Sequence, residues 1–317
     1  MKIAAGLGKI EDFKALVSAG ADEVFCGFVP NDWNERYGNH YPLNRREVFY
    51  YNVQICAFGE MEILQKMSQK YHVPVTVVFN ALYYLREQYS IIAGYIKRLM
   101  KMGFCDYIIA DIALITYLRS QHIDCRIQLS GEACELNVPA MELLEPLEIS
   151  RYIFHRKNTF DSMQACMVAQ RKKRNDINCE FEAFVLNEKC HYTGAFCNSL
   201  HCDELAHICH LSYRLAPFEK RLKTEMPEKD EKEWGDSYIP GQTGCGLCAL
   251  YRLRKIGITH LKVVGRGRFI EEMTEDVRAL KQALQILEQA EDEKQFQKEV
   301  IEQIFHGRCS ADCYYDL

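Results

Sequence analysis

Apolar residues along this chain fall into short continuous runs, separated by longer stretches in which they recur at helical spacing. Lys2–Leu7 reads as a buried strand, followed by a helix over Glu11–Ala19 that stops at Gly20. Further strands are expected at Glu23–Phe28, at the Val-rich run ending at Asn80, and at Tyr107–Asp111, Cys125–Ser130, Arg151–His155, Glu180–Leu186 and His260–Gly265. Between them the spacing predicts helices near Gly59–Tyr71, over Glu87–Met102 before Gly103, from Asp111 through Arg119, near Val138–Leu144, over Thr159–Arg171 with Thr159 or Asp161 as its cap, and over Leu247–Lys255. Continuous apolar strands alternating with helices indicate a parallel sheet covered on both faces. Eight such units favour an α/β fold of the TIM-like β/α barrel type, with a cysteine-rich insertion between the last strands. The segments are then 1–186 for the first seven strands, 187–246 for the insertion, 247–273 for the last helix and strand, and 274–317 for a helical tail. The tail, over Thr274–Ile304, reads as an exposed helix, with an oligomer contact as the alternative. The polar, aromatic stretch from Pro30 to Arg46 is long for a barrel connection and is expected to cover something.

A barrel concentrates chemistry at the C-terminal ends of its strands. The polar residues there are Asn80, Asp111, Ser130, His155 or Arg156, Asn187 and Arg266. Taken singly, Asp111 and Ser130 read equally well as helix caps. Net charge is −5, which is not the field of a general nucleic-acid binder. The one compact basic run, 171–174, reads as a solvated helix end, with an RNA-phosphate contact as the alternative. No run approaches the ~20 apolar residues of a membrane span, and the charged N-terminus has no signal-peptide core, so membrane insertion is not expected and a cytoplasmic protein is.

Fifteen cysteines in a reducing compartment are not a disulfide framework. Cys26, Cys105, Cys125 and Cys166 lie in apolar patterns and read as small buried hydrophobes. Cys190, Cys197, Cys202 and Cys209 lie instead among polar residues after a strand, and Cys245 and Cys248 follow in Gly-Cys-Gly-Leu-Cys. Thiols gathered at a strand end point to a soft metal. Four thiolates satisfy an iron–sulfur cubane or a zinc tetrahedron, and the two-residue gap between Cys245 and Cys248 suits a zinc knuckle. Cys309 and Cys313, four apart, read as a loose tail or a reactive, partner-facing pair.

The order of AGADEVFCG at the second strand, Asn80 in VVFN, YIIAD at 107–111, IQLS at 127–130, RYIFHR at 151–156, EAFV at 182–185, Cys190 with Cys197, and LCALYRLRKIGITHLKVVGR at 247–266 resembles peptidase family U32, the collagenase-like peptidases, over most of the chain. That resemblance implies similarity to proteins that hydroxylate RNA or ubiquinone precursors without dioxygen, with prephenate as an oxygen source and a 4Fe-4S cluster on four cysteines. It places the ligands on Cys190, Cys197, Cys209 and Cys248, and moves the balance from zinc towards iron–sulfur. The chain departs from the family pattern: Tyr192–Cys197 is one residue longer than usual, Arg156 is followed by Lys157 rather than Glu, and the Arg-Gly element before the third cysteine is absent. Cys202 therefore competes with Cys209, and Cys245 with Cys248.

Three function classes follow. The first is a cluster-dependent hydroxylase or related redox enzyme, with Arg156 or Arg266 holding the carboxylate of a small organic acid and Asn80, Asp111 and Ser130 orienting the acceptor. The acceptor is a small molecule, a protein-presented group or RNA, and a second protein subunit is a possible partner. The second class is a peptidase, in which Asp111, Glu182 or His155 would activate water; no Gly-x-Ser-x-Gly or His-Glu-x-x-His motif supports it. The third is a non-catalytic iron–sulfur subunit.

Overall fold

The computed structural model describes residues 1–38, 41–45, 54–173, 179–190, 238–307, 309 and 312–316. Among the described residues nine parallel strands are present: β1 (Lys2–Leu7), β2 (Glu23–Phe28), β3 (Gln54–Ile55), β4 (Val75–Phe79), β5 (Asp106–Ile109), β6 (Arg126–Leu129), β7 (Ile149–Ile153), β8 (Glu180–Leu186) and β9 (His260–Val263). Hydrogen bonding runs in the order β1-β9-β8-β7-β6-β5-β4-β2, and β1 also pairs β2, which closes eight strands into a barrel. The two-residue β3 extends β2 at Gly27 and Phe28, outside that ring. The expected eight-stranded barrel is what forms.

The helices are α1 (Phe13–Ala19), α2 (Asn31–Tyr37), α3 (Phe58–Tyr71), α4 (Gln88–Lys101), α5 (Ile112–Ser120), α6 (Val138–Leu144), α7 (Phe160–Lys173), α8 (Leu250–Ile256), α9 (Ile270–Gln289) and α10 (Glu293–Gln303). Gly20 ends α1 in the left-handed region, at φ 115°. α2 lies within the stretch expected to be a covering loop and buries Trp33. The tail is two helices rather than one exposed helix. Asp292 caps α10, and α9 buries Met273, Val277, Leu280, Ala283 and Leu287, packing on α1. Arg171 and Lys172, at the end of α7, are exposed, as a solvated helix end would be. Cys26, Cys125 and Cys166 are buried, but Cys105 is exposed: it stands just before β5, outside the covered part of the strand. Among the described residues no helix is long and apolar enough to cross a membrane.

The barrel interior is not wholly apolar. Arg151 on β7 bonds both oxygens of Glu23 on β2, and reaches Glu182 at 2.9 Å and Glu180 at 2.8 Å on β8. Lys262 on β9 reaches the other oxygen of Glu182 at 2.7 Å. Burial opposes the charge on Glu182, yet Lys262 and Arg151 overcome it and hold its carboxyl down at about 2. His260 Nε2 lies 3.0 Å from Arg151 Nη2. A guanidinium only donates, so Nε2 accepts and the ring proton sits on Nδ1, facing Thr259 Oγ1 at 2.8 Å. Burial, and then the Arg151 charge, push the His260 pKa down to about 4.

Arg151→Met leaves Glu23 and Glu182 without their shared cation, and is expected to destabilise the fold by about 3–5 kcal/mol in urea unfolding. A folded His260 that stays neutral to about pH 4 contributes stability that is fully present above its unfolded pKa near 6.5. That contribution is lost progressively as pH falls from about 6.5 towards 4, by at most about 1.4 kcal/mol per pH unit. Unfolding free energies measured across this window should fall with pH, and His260→Gln should flatten the slope.

Candidate functional site

Parallel closure brings all eight strand ends to one rim, and four of the expected polar residues meet there. Asn80, Ser130, Arg156 and Arg266 line one cavity together with Arg45, Glu132, Glu188, Lys262, Phe25 and Phe184. Its volume is about 60 Å³, room for one or two waters. Asn80 follows β4; its Oδ1 accepts the Arg45 N–H at 3.2 Å, and its own N–H donates to Asn44 Oδ1 at 3.4 Å. The segment after α2 is thereby drawn across the rim, as the length of that connection implied. Ser130 follows β6, donates its N–H to Ile109 O and accepts the Glu132 N–H on Oγ at 3.2 Å. Glu132 stands between Arg45, at 3.4 Å, and Arg156, at 3.2 Å. Arg266 approaches β2 so closely that a Cβ on Gly27 would fall 2.5 Å from its Nη1 and 1.6 Å from Gln54 Oε1, so a larger residue there would have to displace both side-chain ends.

Arg156 follows β7, and its guanidinium lies over the Phe184 ring at 3.8 Å. Its Nε is buried with no hydrogen-bond partner among the described residues, and the hydroxyl of Tyr314 lies close enough to the guanidinium for the two groups to act on each other. A buried polar atom without a partner, as Nε is, is costly unless something polar joins it. Arg156 also walls a second cavity of about 440 Å³, with Lys157, Lys189, Cys190, Phe160, Tyr314 and Tyr315 around it.

The other expected residues lie elsewhere. Asp111 caps α5, accepting from Ala113 N at 2.8 Å and Leu114 N at 3.2 Å on one oxygen. The other oxygen takes Tyr84 N at 2.9 Å and Tyr89 Oη at 3.3 Å. Glu182 lies inside the barrel in the Arg151–Lys262 network. His155 is buried; its Nδ1 accepts the Lys157 N–H at 3.2 Å, and burial lowers its pKa, keeping it neutral. Asn187, at φ 67°, donates to Asp276, whose carboxyl burial pushes up to about 6. Arg45, Glu132, Lys262 and Tyr314 escape a sequence reading, because each gains its place from a partner far along the chain.

Cys197, Cys202 and Cys209 lie outside the described residues. Cys190 is a neighbour of Arg156, close enough to act on its charge. Cys245 and Cys248 stand with Cys309 and Cys313. Burial first, and these thiols next, push Cys248 up to about 11 and Cys245 higher still. Among the described residues, no three His, Cys, Asp or Glu side chains are already placed to hold a metal ion.

Arg156→Met, which takes a buried cation from Glu132, is expected to destabilise the fold by about 1.5–3 kcal/mol in urea unfolding. Asp111→Asn, which weakens the cap of α5, should lower the melting temperature.

The chain matches the model of Peptidase family U32 over residues 8–316. Among solved structures it is similar to a U32 peptidase, at 13% identity over 58% of this chain and 69% of that one, with a TM-score of 0.43. It is also similar to phosphoribosyl anthranilate isomerase from Thermus thermophilus, at 8% identity, 90% and 100% coverage and a TM-score of 0.46. A third is 2,3-dimethylmalate lyase, at 9% identity, 91% and 83% coverage and a TM-score of 0.40. No curated protein matches the chain. With the family pattern running from before the first helix to the end of the tail, the chain belongs to peptidase family U32.

Proposed function

We propose that this U32 protein is an oxygen-independent hydroxylase or related redox enzyme that takes a small, prephenate-like organic acid as oxygen donor beside a thiolate-held iron–sulfur cluster. One observation carries the reading: Arg156, a buried guanidinium with a free Nε and with Tyr314 beside it, lines both a small rim cavity and a roomy one that Cys190 also walls. Size assigns the acid. Arg266 lines only the smaller cavity, about 60 Å³, whereas Arg156 also reaches the one of about 440 Å³, a volume in the range of small-molecule sites. Lys157 and Lys189 add positive charge around the same space. A carboxylate there would accept from the forked guanidinium and satisfy Nε.

The donor set for the cluster is all thiolate, the chemistry an iron–sulfur group requires. Cys190, Cys197, Cys209 and Cys248 would hold it, with Cys202 and Cys245 as alternates, and zinc is the alternative occupant. Once bound, the cluster supplies one-electron exchange. The chain's own residues do the rest. Arg156 fixes the acid, Phe184 excludes water from one face of the guanidinium, and Asn80 and Ser130 hold the rim segments that carry Arg45 and Glu132. The acceptor is a small molecule, a protein-presented group or RNA, and a second subunit would be a way of presenting it; net charge of −5 disfavours loose RNA binding.

The peptidase reading that the family name carries loses ground at its own candidates. Both Asp111 oxygens are filled by four donors, Glu182 has no exposure and is bound by two cations, and His155 is buried. A non-catalytic subunit would bind the metal without turnover.

Protein purified without oxygen should contain iron and acid-labile sulfide, and should consume prephenate when an acceptor is supplied. Arg156→Gln should raise the KM for the acid about 10- to 100-fold with a smaller change in kcat. Iron-loaded protein that neither consumes prephenate nor changes redox state with any acceptor refutes the enzyme reading.

A further inference from the structure

Residues 187–190 leave β8, residues 238–246 return the chain towards α8, and Cys197, Cys202 and Cys209 fall between them in sequence. The two ends pair as an antiparallel neck. Asn187 donates its N–H to Gly244 O at 2.7 Å, Lys189 donates to Thr243 O at 2.8 Å, and Gly246 donates to Val185 O at 2.7 Å, with Leu186 opposite Cys245. One side chain from outside the neck reaches both ends. Asp276 on α9 has no exposure to solvent. It accepts from Asn187 Nδ2 at one end, and from the Tyr238 hydroxyl at 2.7 Å and the Gly241 N–H at 3.1 Å at the other. Thr243 completes the joint: its hydroxyl donates to Asn187 Oδ1 at 3.4 Å and accepts the Glu188 N–H at 3.1 Å. Arg268 lies over the Tyr238 ring, and its Nη1 donates to the same hydroxyl at 3.2 Å.

The neck bends in a way that needs such a hold. Asn187 and Glu188 are consecutive non-glycine residues in the left-handed region, at φ 67° and 54°. The short polar side chain of Asn suits that region and the longer one of Glu does not, so the pair persists only where its surroundings over-determine it. The bend divides the side chains between the two cavities. Glu188 lines the smaller one with Asn80, Ser130 and Arg266, whereas Lys189 and Cys190 line the larger one. A buried carboxylate is retained only where donors offset its lost hydration. Among the described residues, the donors to Asp276 all belong to the neck.

We propose that Asp276 is a positioning residue for the rim site: by joining Asn187 to Tyr238 and Gly241 it closes the neck, and so sets Glu188, Lys189 and Cys190 on the walls of the two cavities. This rests on the functional proposal in one respect, that these cavities and Cys190 belong to the working site. Asp276 touches neither cavity and acts only through Asn187 and the return strand. Its place on α9, a helix packed on α1, anchors the neck to the outer layer of the barrel rather than to the rim itself.

Amide hydrogen exchange of the full-length protein tests this, read by mass spectrometry on peptides covering 185–190 and 238–246, with β4 and β5 as reference. Asp276→Ala should speed exchange in the neck by about 10- to 100-fold and leave the reference strands unchanged. Tyr238→Phe removes one donor and keeps the carboxylate, and should act in the same direction by less. Asn187→Asp sets two carboxylates face to face and should loosen the neck. Combined with Asp276→Asn it exchanges donor and acceptor across the same contact, and protection should return. The visible absorbance of the cluster in protein purified without oxygen should follow neck protection through this series. Where Asp276→Ala does not fold, Tyr238→Phe and the exchanged pair decide. A neck that exchanges at the wild-type rate in the single variants, a loss shared equally by β4 and β5, or an exchanged pair no better protected than Asn187→Asp alone overturns the proposal. Absorbance that stays constant while the neck loosens overturns it as well. A wild type without iron refutes the functional proposal instead, and the exchange rates then decide the role of Asp276 without it.

Discussion

Glu182 has no exposure to solvent and carries two cations, Arg151 and Lys262, on its two oxygens. With Glu23 and His260, this network ties β2, β7, β8 and β9 together across the barrel interior. Taking several charges out of water costs several kcal/mol apiece, and only close mutual pairing offsets that cost. The arrangement therefore tolerates little change in strand register, because a one-residue slip on β8 would turn Glu182 outward and leave two cations in its place. Register in turn decides which residues reach the rim. Lys262 serves both levels: it grips Glu182 below, and its ammonium lies over the Phe25 ring, 3.8 Å from the centroid, at the floor of the rim cavity.

Much of this was legible in sequence for a specific reason. A strand covered on both faces must be apolar throughout, so Val75–Phe79 announces itself, and the parallel barrel follows from repetition. Caps were legible as well: Asp111 holds the start of α5 in the role that competed with catalysis. α2 was not, since its one buried residue, Trp33, leaves no apolar stripe to detect. The break between α9 and α10 lacks the usual Gly or Pro, and rests on Asp292 capping the second helix. Cys105 misled because an apolar neighbourhood does not tell where a strand enters the covered region.

The rim was half legible. Strand ends alone predicted Asn80, Ser130, Arg156 and Arg266, and these converge. Arg45 and Glu132 join them through contacts between distant segments, which no local pattern encodes. Asp111 and Glu182 occupy the strand ends or the strand itself, yet their oxygens are already taken, so position at a barrel end is necessary for a role at the rim and not sufficient. What separates the two groups is whether the side chain lines the rim cavity, and that is visible only in three dimensions.

The same criterion explains why the C-terminal tail belongs to the site rather than hanging beside it. Tyr314 and Tyr315 are buried, one beside Arg156 and the other bonded to the β8 carbonyl of Phe184, the residue on which the Arg156 guanidinium stacks. Gly244 holds φ 142° and Gly246 keeps its Cβ position clear, so the chain reserves this space for the tail from the other side as well. A tail with only packing to secure it would exchange freely, as chain ends do. This one carries a backbone bridge, the Lys189–Asp312 pair and two tyrosines. Those contacts hold Tyr314 and Tyr315 in the wall of the cavity that Arg156 lines. The surroundings of the rim cation thus include residues 314 and 315, far in sequence from the strand that supplies it.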